Sequence, residues 1–403
     1  MSVTSPQGGT GETVRLQPGV SVGAMWMMTI LAFVISRMSI LPTSLEFRTD
    51  EILYRDWGLE ILSGAFPAGD ERYQYPPGAG LYFAFLEWSP GTFHRAFTAS
   101  VLIADIAVLL MLLVAVYRKN ASWFGPWTWI VGGALAGGLL YERFDVISAV
   151  FGVAALLIVA RPFWSGFLAG CGAMVKVWPI FVLFGQDRRQ LGRAILGAVS
   201  GVTAMFLLSF VIADGPLSFL SSQAGRGLQI ESTPAAPILI AGQLGLLETT
   251  GVDRFGSTEI ESSFAGVAAW LGIAVAVVLL AVLLVQRLRG RLEGMPSADL
   301  ALAALLVFWA FNRVNSSQFF IWVSAIAAVA LLNHRSRMVV PVALAFLSML
   351  PIDEYLGPYF WALQGQSPEA VFLQVVRSAL ILASAVLAWY YVAVGRSYGD
   401  GEA

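Results

Sequence analysis

Apolar runs of roughly 18 or more residues recur along nearly the whole chain, the length needed to cross the ~30 Å hydrocarbon core of a bilayer. In lipid every backbone polar group must be satisfied internally, so only helices and closed barrels remain available. No alternating ten-residue strands of the barrel type are present, which selects helices. Of 403 residues, 57% are hydrophobic and 12% charged, with mean hydropathy +0.73. Soluble domains carry about 25% charge. The chain reads as an all-α, polytopic membrane protein of about 10–12 spans.

Candidate spans fall at 22–42, 92–117, 124–141, 143–161, 163–186, 191–213, 264–287, 298–312, 317–333, 338–351 and 371–394. A shorter apolar helix follows Pro77. Residues 1–21 are polar and read as a disordered cytoplasmic tail, 22–395 as one transmembrane domain, and 396–403 as a second cytoplasmic tail. The first apolar run has no small-residue cleavage site after it, so it reads as a retained span.

Positive charge orients the spans. Arg118-Lys119, Arg188-Arg189 with Arg193, Arg287 with Arg289 and Arg291, and His334-Arg335 with Arg337 are expected to face the cytoplasm. Loops 43–75 and 214–263 and the Asp353-Glu354 segment are then outward. With Arg161 and Arg188 both inside, 163–186 is not one complete crossing. Either it breaks into two half-helices around Lys176-Val-Trp-Pro179, or the helix at 76–90 crosses and shifts the parity.

Composition excludes several functions. Net charge is −2, which argues against a nucleic-acid partner. Cys171 is the lone cysteine, and His94 and His334 are far apart, so neither a disulfide framework nor a transition-metal centre is expected.

The polar residues that remain are concentrated. Leu45 to Pro77 holds seven of the 26 acidic residues. Within it Asp50 and Glu51 open an amphipathic stretch with Leu53, Trp57 and Ile61 at spacing four, read as a helix lying on the membrane surface. Asp50 suits either a helix cap or a catalytic carboxylate, and the roles are compatible. Glu142-Arg143-Phe144-Asp145 forms a second outward cluster. Lys176 lies inside an apolar run, where a charge costs about 2.5–3.5 kcal/mol and marks a paired or functional group unless it snorkels. Arg226 to Glu231 and Arg313 to Gln318 add outward cations suited to a phosphate.

A carboxylate base, phosphate-gripping cations and a lipid-facing groove suit sugar transfer from a polyprenyl phosphate. The order of these pieces resembles the C-type (GT-C) glycosyltransferases, above all the actinobacterial polyprenol-phosphate-mannose-dependent alpha-mannosyltransferases. The resemblance rests on Asp50 with Tyr54, Gly64-Ala-Phe-Pro67, Tyr75-Pro76-Pro77, Lys176 with Pro179, Arg226 to Ser232, and Ser316-Ser-Gln318-Phe319. In the last of these Ser317 stands for a proline and Phe319 for a tyrosine. The family's Gly-Gln-x-Asn is here Glu142-Arg143-Phe144-Asp145, which leaves an arabinose donor as an alternative to mannose.

The resemblance implies an inverting hexosyltransferase of the cell membrane that serves cell-envelope biosynthesis and faces the extracytoplasmic side. Asp50 would be the general base, with Asp56 as the rival. Tyr54, Arg143, Asp145, Lys176, Arg226, Glu231, Arg313 and Gln318 would bind the donor phosphate and substrate. The donor would be a polyprenyl-phosphate sugar and the acceptor a glycolipid or glycan, in contact with membrane lipid and with no cofactor or metal. The alternative is a transporter or flippase of a lipid-linked saccharide, kept open by Lys176 and the broken span. A membrane scaffold would not need so many outward polar clusters.

Overall fold

The computed structural model describes the backbone of residues 22–44, 49–350 and 360–394. Residues 1–21, the Asp353-Glu354 segment and the tail from 396 lie outside the described residues. In chain order the helices are α1 (Val22–Ser44), α2 (Thr49–Leu62), α3 (Pro77–Glu87), α4 (Phe93–Lys119), α5 (Phe124–Ala136) and α6 (Leu139–Glu142). Next come α7 (Asp145–Leu157), α8 (Pro162–Val175), a 3₁₀ helix at Trp178–Gly185, α9 (Leu191–Ile212), α10 (Phe219–Gly225) and α11 (Ala236–Gln243). Strands β1 (Thr250–Arg254) and β2 (Ser257–Glu261) follow, then α12 (Ala265–Leu288), α13 (Ser297–Phe311), α14 (Phe319–Ala330), α15 (Val339–Leu347), α16 (Phe360–Gln364) and α17 (Pro368–Ala393). The protein is an all-α polytopic membrane protein.

Among the described residues five helices are long and apolar enough to cross a membrane: α1 as far as Leu41, α4, α9, α12 and α17. The apolar runs behind α7, α8, α13 and α14 fold into shorter helices. Of these, α14 is buried on every side and α13 nearly so. They form a central pair inside the bundle, with α17 and the 3₁₀ helix packed against α13.

The basic turns meet at one end of the bundle. Lys119 Nζ donates to the Leu157 carbonyl, and His334 contacts the Asn120 carbonyl oxygen. Arg287 reaches Asp187, Arg188 pairs with Glu293, and Ser336 Oγ lies 2.9 Å from Asp299. Helix α13 leads away from this end, from Ser297 to Phe311.

Helix α8 explains the parity conflict. Its 14 residues rise only about 21 Å, short of the hydrocarbon core. The chain turns back at Lys176, which is extended, and returns through the 3₁₀ helix. Gln186 Nε2 then donates to Ser165 Oγ at 2.8 Å, so both ends of the segment lie together at the basic end. The break around Lys176 is the arrangement found. Helix α3 does not supply a crossing: Arg55 of α2 meets Glu87 at its end, and Glu51 of α2 meets His94 at the start of α4.

Helix α9 runs parallel to α8 and packs backbone to backbone with it. A Cβ on Gly166 would run into the Ala194 carbonyl, and one on Gly197 into the Phe163 carbonyl. Small residues are the means by which helices approach closely where no hydrophobic gain separates protein from lipid.

Two expectations change. Trp57 and Ile61, expected on the membrane face of α2, are buried with Tyr54, and α2 packs on α3. The outer face carries Ile52, Leu59 and Leu62 instead. Aromatic partners inside the fold compete for the same apolar stripe, and stacking of Tyr54 on Phe83, with centroids 4.7 Å apart, wins. The loop 214–263 also contains the antiparallel β1–β2 hairpin, which periodicity did not signal.

Candidate active site

At the end of the bundle opposite the basic turns, a cavity of about 580 Å³ opens between α2, α12, α13 and the loops at that end. Asp50, Tyr54, Arg143, Lys176, Arg226, Arg313 and Gln318 all line it. They come from five separate stretches of chain. Trp270, Ile273, Ala276, Val277 and Leu280 of α12, with Phe308 and Phe311, form an apolar wall along its other side. Trp270 and Val277 are exposed at the bundle surface, so that wall is continuous with the face a membrane helix offers to lipid.

Asp50 stands in the first turn of α2, and its carboxylate pairs with Arg143. Arg143 sits in the short connection between α6 and α7, where burial pulls its guanidinium below the usual value and Asp145 and Glu231 act against that. Its Nη1 also lies 3.5 Å from the Tyr54 hydroxyl. Burial, then Tyr75 and Asp145, raise the Tyr54 phenol well above its ordinary value, and burial pushes Tyr75 up to about 12. Both phenols therefore stay protonated at neutral pH and serve as neutral hydrogen-bonding groups.

Lys176 is placed by the break between α8 and the 3₁₀ helix, so its side chain projects from the tip of a hairpin. Nζ contacts both carboxylate oxygens of Asp145 at 2.8 Å. Phe144 lies under it at 4.3 Å from the ring centroid, with Tyr75 at 5.1 Å. Trp322 Nε1 donates to Asp145 at 2.5 Å. With 4% of its side chain exposed, Lys176 is paired and does not snorkel.

Arg226 donates to Gln74 Oε1 at 2.5 Å and to Ser257 Oγ, with Glu259 3.7 Å from its Nε. Here the hairpin finds its purpose: β2 carries Ser257 and Glu259 to Arg226. Arg313 Nη2 donates to the Gln223 carbonyl at 2.6 Å and pairs with no carboxylate among the described residues. Arg72, not singled out from sequence, adds a fifth cation to the lining and is paired with Asp70 at 2.7 Å. Burial alone would raise Asp70, but its bonds from Arg72 and Trp57 hold it below the usual carboxylate range.

Three predicted residues lie outside the lining. Asp145 and Glu231 are buried one layer behind, where Glu231 accepts from Gln229 at 2.9 Å and Ser317 at 3.0 Å. Asp56 is exposed on the solvent side of α2 and does not line the cavity. Sequence reasoning missed Gln74, Gln229 and Trp270, which have no local charge signature. Among the described residues no three His, Cys, Asp or Glu side chains converge.

The fold and the cavity define a multi-pass membrane protein with a polar site opening onto a lipid-facing wall. Residues 73–253 match the model of Glycosyltransferase family 87, a family of GT-C-type membrane glycosyltransferases, which supports a transferase using a sugar donor and an acceptor. The matched stretch holds Tyr75, Arg143, Lys176, Arg226 and Glu231, while Asp50, Arg313 and Gln318 lie outside it. No curated protein matches the chain.

Proposed function

We propose that the protein moves a hexose, mannose in our reading, from a polyprenyl-phosphate carrier to a glycolipid or cell-envelope glycan on the extracytoplasmic face. The observation that carries this is the charge balance of the cavity. Arg72, Arg143, Lys176 and Arg226 each have a carboxylate partner in Asp70, Asp50, Asp145 and Glu259, which leaves Arg313 as the uncompensated cation of the lining among the described residues. One spare positive charge beside an apolar wall suits a lipid phosphodiester, which carries one negative charge. A lipid diphosphate or a nucleotide sugar carries two.

In this mechanism Asp50 accepts the proton of the acceptor hydroxyl as that oxygen attacks the anomeric carbon. The bond from that carbon to the phosphate oxygen breaks, and the configuration inverts. The departing polyprenyl phosphate gains a negative charge at that moment. Protonation of Asp50 removes the carboxylate that neutralises Arg143, so a cation is released beside the leaving group as its charge grows. The basic turns at the opposite end support an extracytoplasmic site.

The test is transfer by purified protein in liposomes, given radiolabelled polyprenyl-phosphate mannose and lipid acceptors. Label should pass to the acceptor, while the corresponding polyprenyl-diphosphate sugar should serve poorly. Movement of the carrier across the bilayer without transfer would instead make the protein a transporter. Neither activity would leave a scaffold.

A further inference from the structure

The C-terminal helix α17 contains one arginine in the middle of an apolar run, Arg377, with no exposed surface. An ionisable group inside such a helix is costly to retain and belongs by default to a functional site. Arg377 does not line the cavity. Its Nη1 donates to the Glu231 main-chain carbonyl at 3.1 Å, and Gln374 Nε2, one turn earlier, donates to the same oxygen at 2.7 Å.

Glu231 passes this anchorage on. Its carboxylate accepts from Gln229 Nε2 at 2.9 Å and from Ser317 Oγ at 3.0 Å. Gln229 in turn takes the Asn315 N–H on its Oε1 at 2.8 Å, and its own N–H donates to the Arg313 carbonyl at 3.0 Å. Gln229, Arg313, Ser316 and Gln318 line the cavity. Two loops distant in sequence are thus tied together through one buried carboxylate. Burial pushes that carboxyl up, and Arg377 is foremost among the groups that pull it back.

We infer that Arg377 is a positioning residue for the proposed transfer, holding the Glu231 loop so that Gln229, Arg313 and Gln318 face the donor. Two properties follow from this placement. Loss of Arg377 removes a donor from the Glu231 carbonyl and the foremost of the charges that offset its buried carboxylate, a conflict that loosens both loops together. Neutralising Glu231 at the same time removes that conflict.

The inference rests on the transfer reading for its kinetic consequence, but hydrogen exchange tests the positioning without any substrate. In detergent-solubilised full chain, Arg377→Met should raise exchange at residues 228–232 and 313–318 while leaving the α8–α9 pair protected. Adding Glu231→Gln should restore part of the protection, and Arg377→Lys should retain most of it. In the transfer assay Arg377→Met should raise the donor KM about tenfold with a smaller effect on kcat, and the double variant should recover part of this loss. Unchanged exchange in those loops, or an equal rise along the whole chain, would overturn the positioning role. If the wild type transfers no sugar, the proposed function fails, and the exchange result still decides the role of Arg377.

Discussion

Lys176 and Asp145, 31 residues apart in sequence, form a symmetric buried ion pair, with Nζ 2.8 Å from each carboxylate oxygen. The pair joins the tip of the α8 hairpin to the first residue of α7. Removing one partner of such a pair leaves a charge without compensation in a poorly solvated place. Lys176→Met should therefore lower unfolding stability in detergent by about 3–5 kcal/mol. Lys176→Met combined with Asp145→Asn should lose less than the single lysine variant. Equal thermal unfolding of wild type and Lys176→Met would show that the pair is not needed for stability.

The α8–α9 contact gives a second test, one of packing alone. Gly166→Ala drives a methyl group into the Ala194 carbonyl, and backbone there has no free side chain to move aside. Overpacking of this kind costs about 1–3 kcal/mol. Gly192→Ala, in the first turn of α9, meets nothing within 4 Å and should be neutral or stabilising by up to about 1 kcal/mol. Thermal unfolding of the two variants beside wild type measures the contrast.

Much of this site was legible because charge is conspicuous in an apolar chain. Asp50, Lys176, Arg226 and Arg313 stood out singly, and the positive turns placed them at one end. Pro179 and the lysine before it marked the break in 163–186. Other features leave no such mark. An apolar run reads the same whether it meets lipid or another helix, since both partners are hydrocarbon, so the burial of α13 and α14 was hidden. The face of α2 was misassigned for the same reason. The β1–β2 hairpin is mostly outside the core and lacks a period-two apolar pattern. Glu231 is expected among the substrate-binding residues, but its place behind the lining depends on Ser317 and Gln229, which only folding brings together.

Glu142 yields a pH prediction. Burial raises its carboxyl from 4.5 to about 7. The folded state then holds the proton more tightly than the unfolded chain, so this group favours folding at low pH. That contribution is lost as pH climbs between about 4.5 and 7 and is constant outside that window. Glu142→Gln should therefore match wild type in melting temperature at the acid end and melt higher above neutrality. Parallel melting curves across the window would place the titration elsewhere.

The choice of base separates Asp50 from Asp56 most directly. Of the two, only Asp50 lines the cavity, and among the described residues only Asp50 is paired with a cation, Arg143, that its protonation would release. Asp56 points to solvent six residues further along α2. Asparagine keeps the size of either side chain but cannot accept the proton. Asp50→Asn should cut kcat about 10²–10⁴-fold, the range expected for loss of a general base, and, because it frees Arg143, it should not raise the donor KM. Asp56→Asn should transfer at a rate within about threefold of wild type, as a surface change away from the reacting atoms should. Both variants should accumulate in membranes at wild-type levels, so the comparison reads chemistry and not folding. Near-normal turnover by Asp50→Asn, with a large loss in Asp56→Asn, would move the base to Asp56 and detach Arg143 from the leaving-group charge.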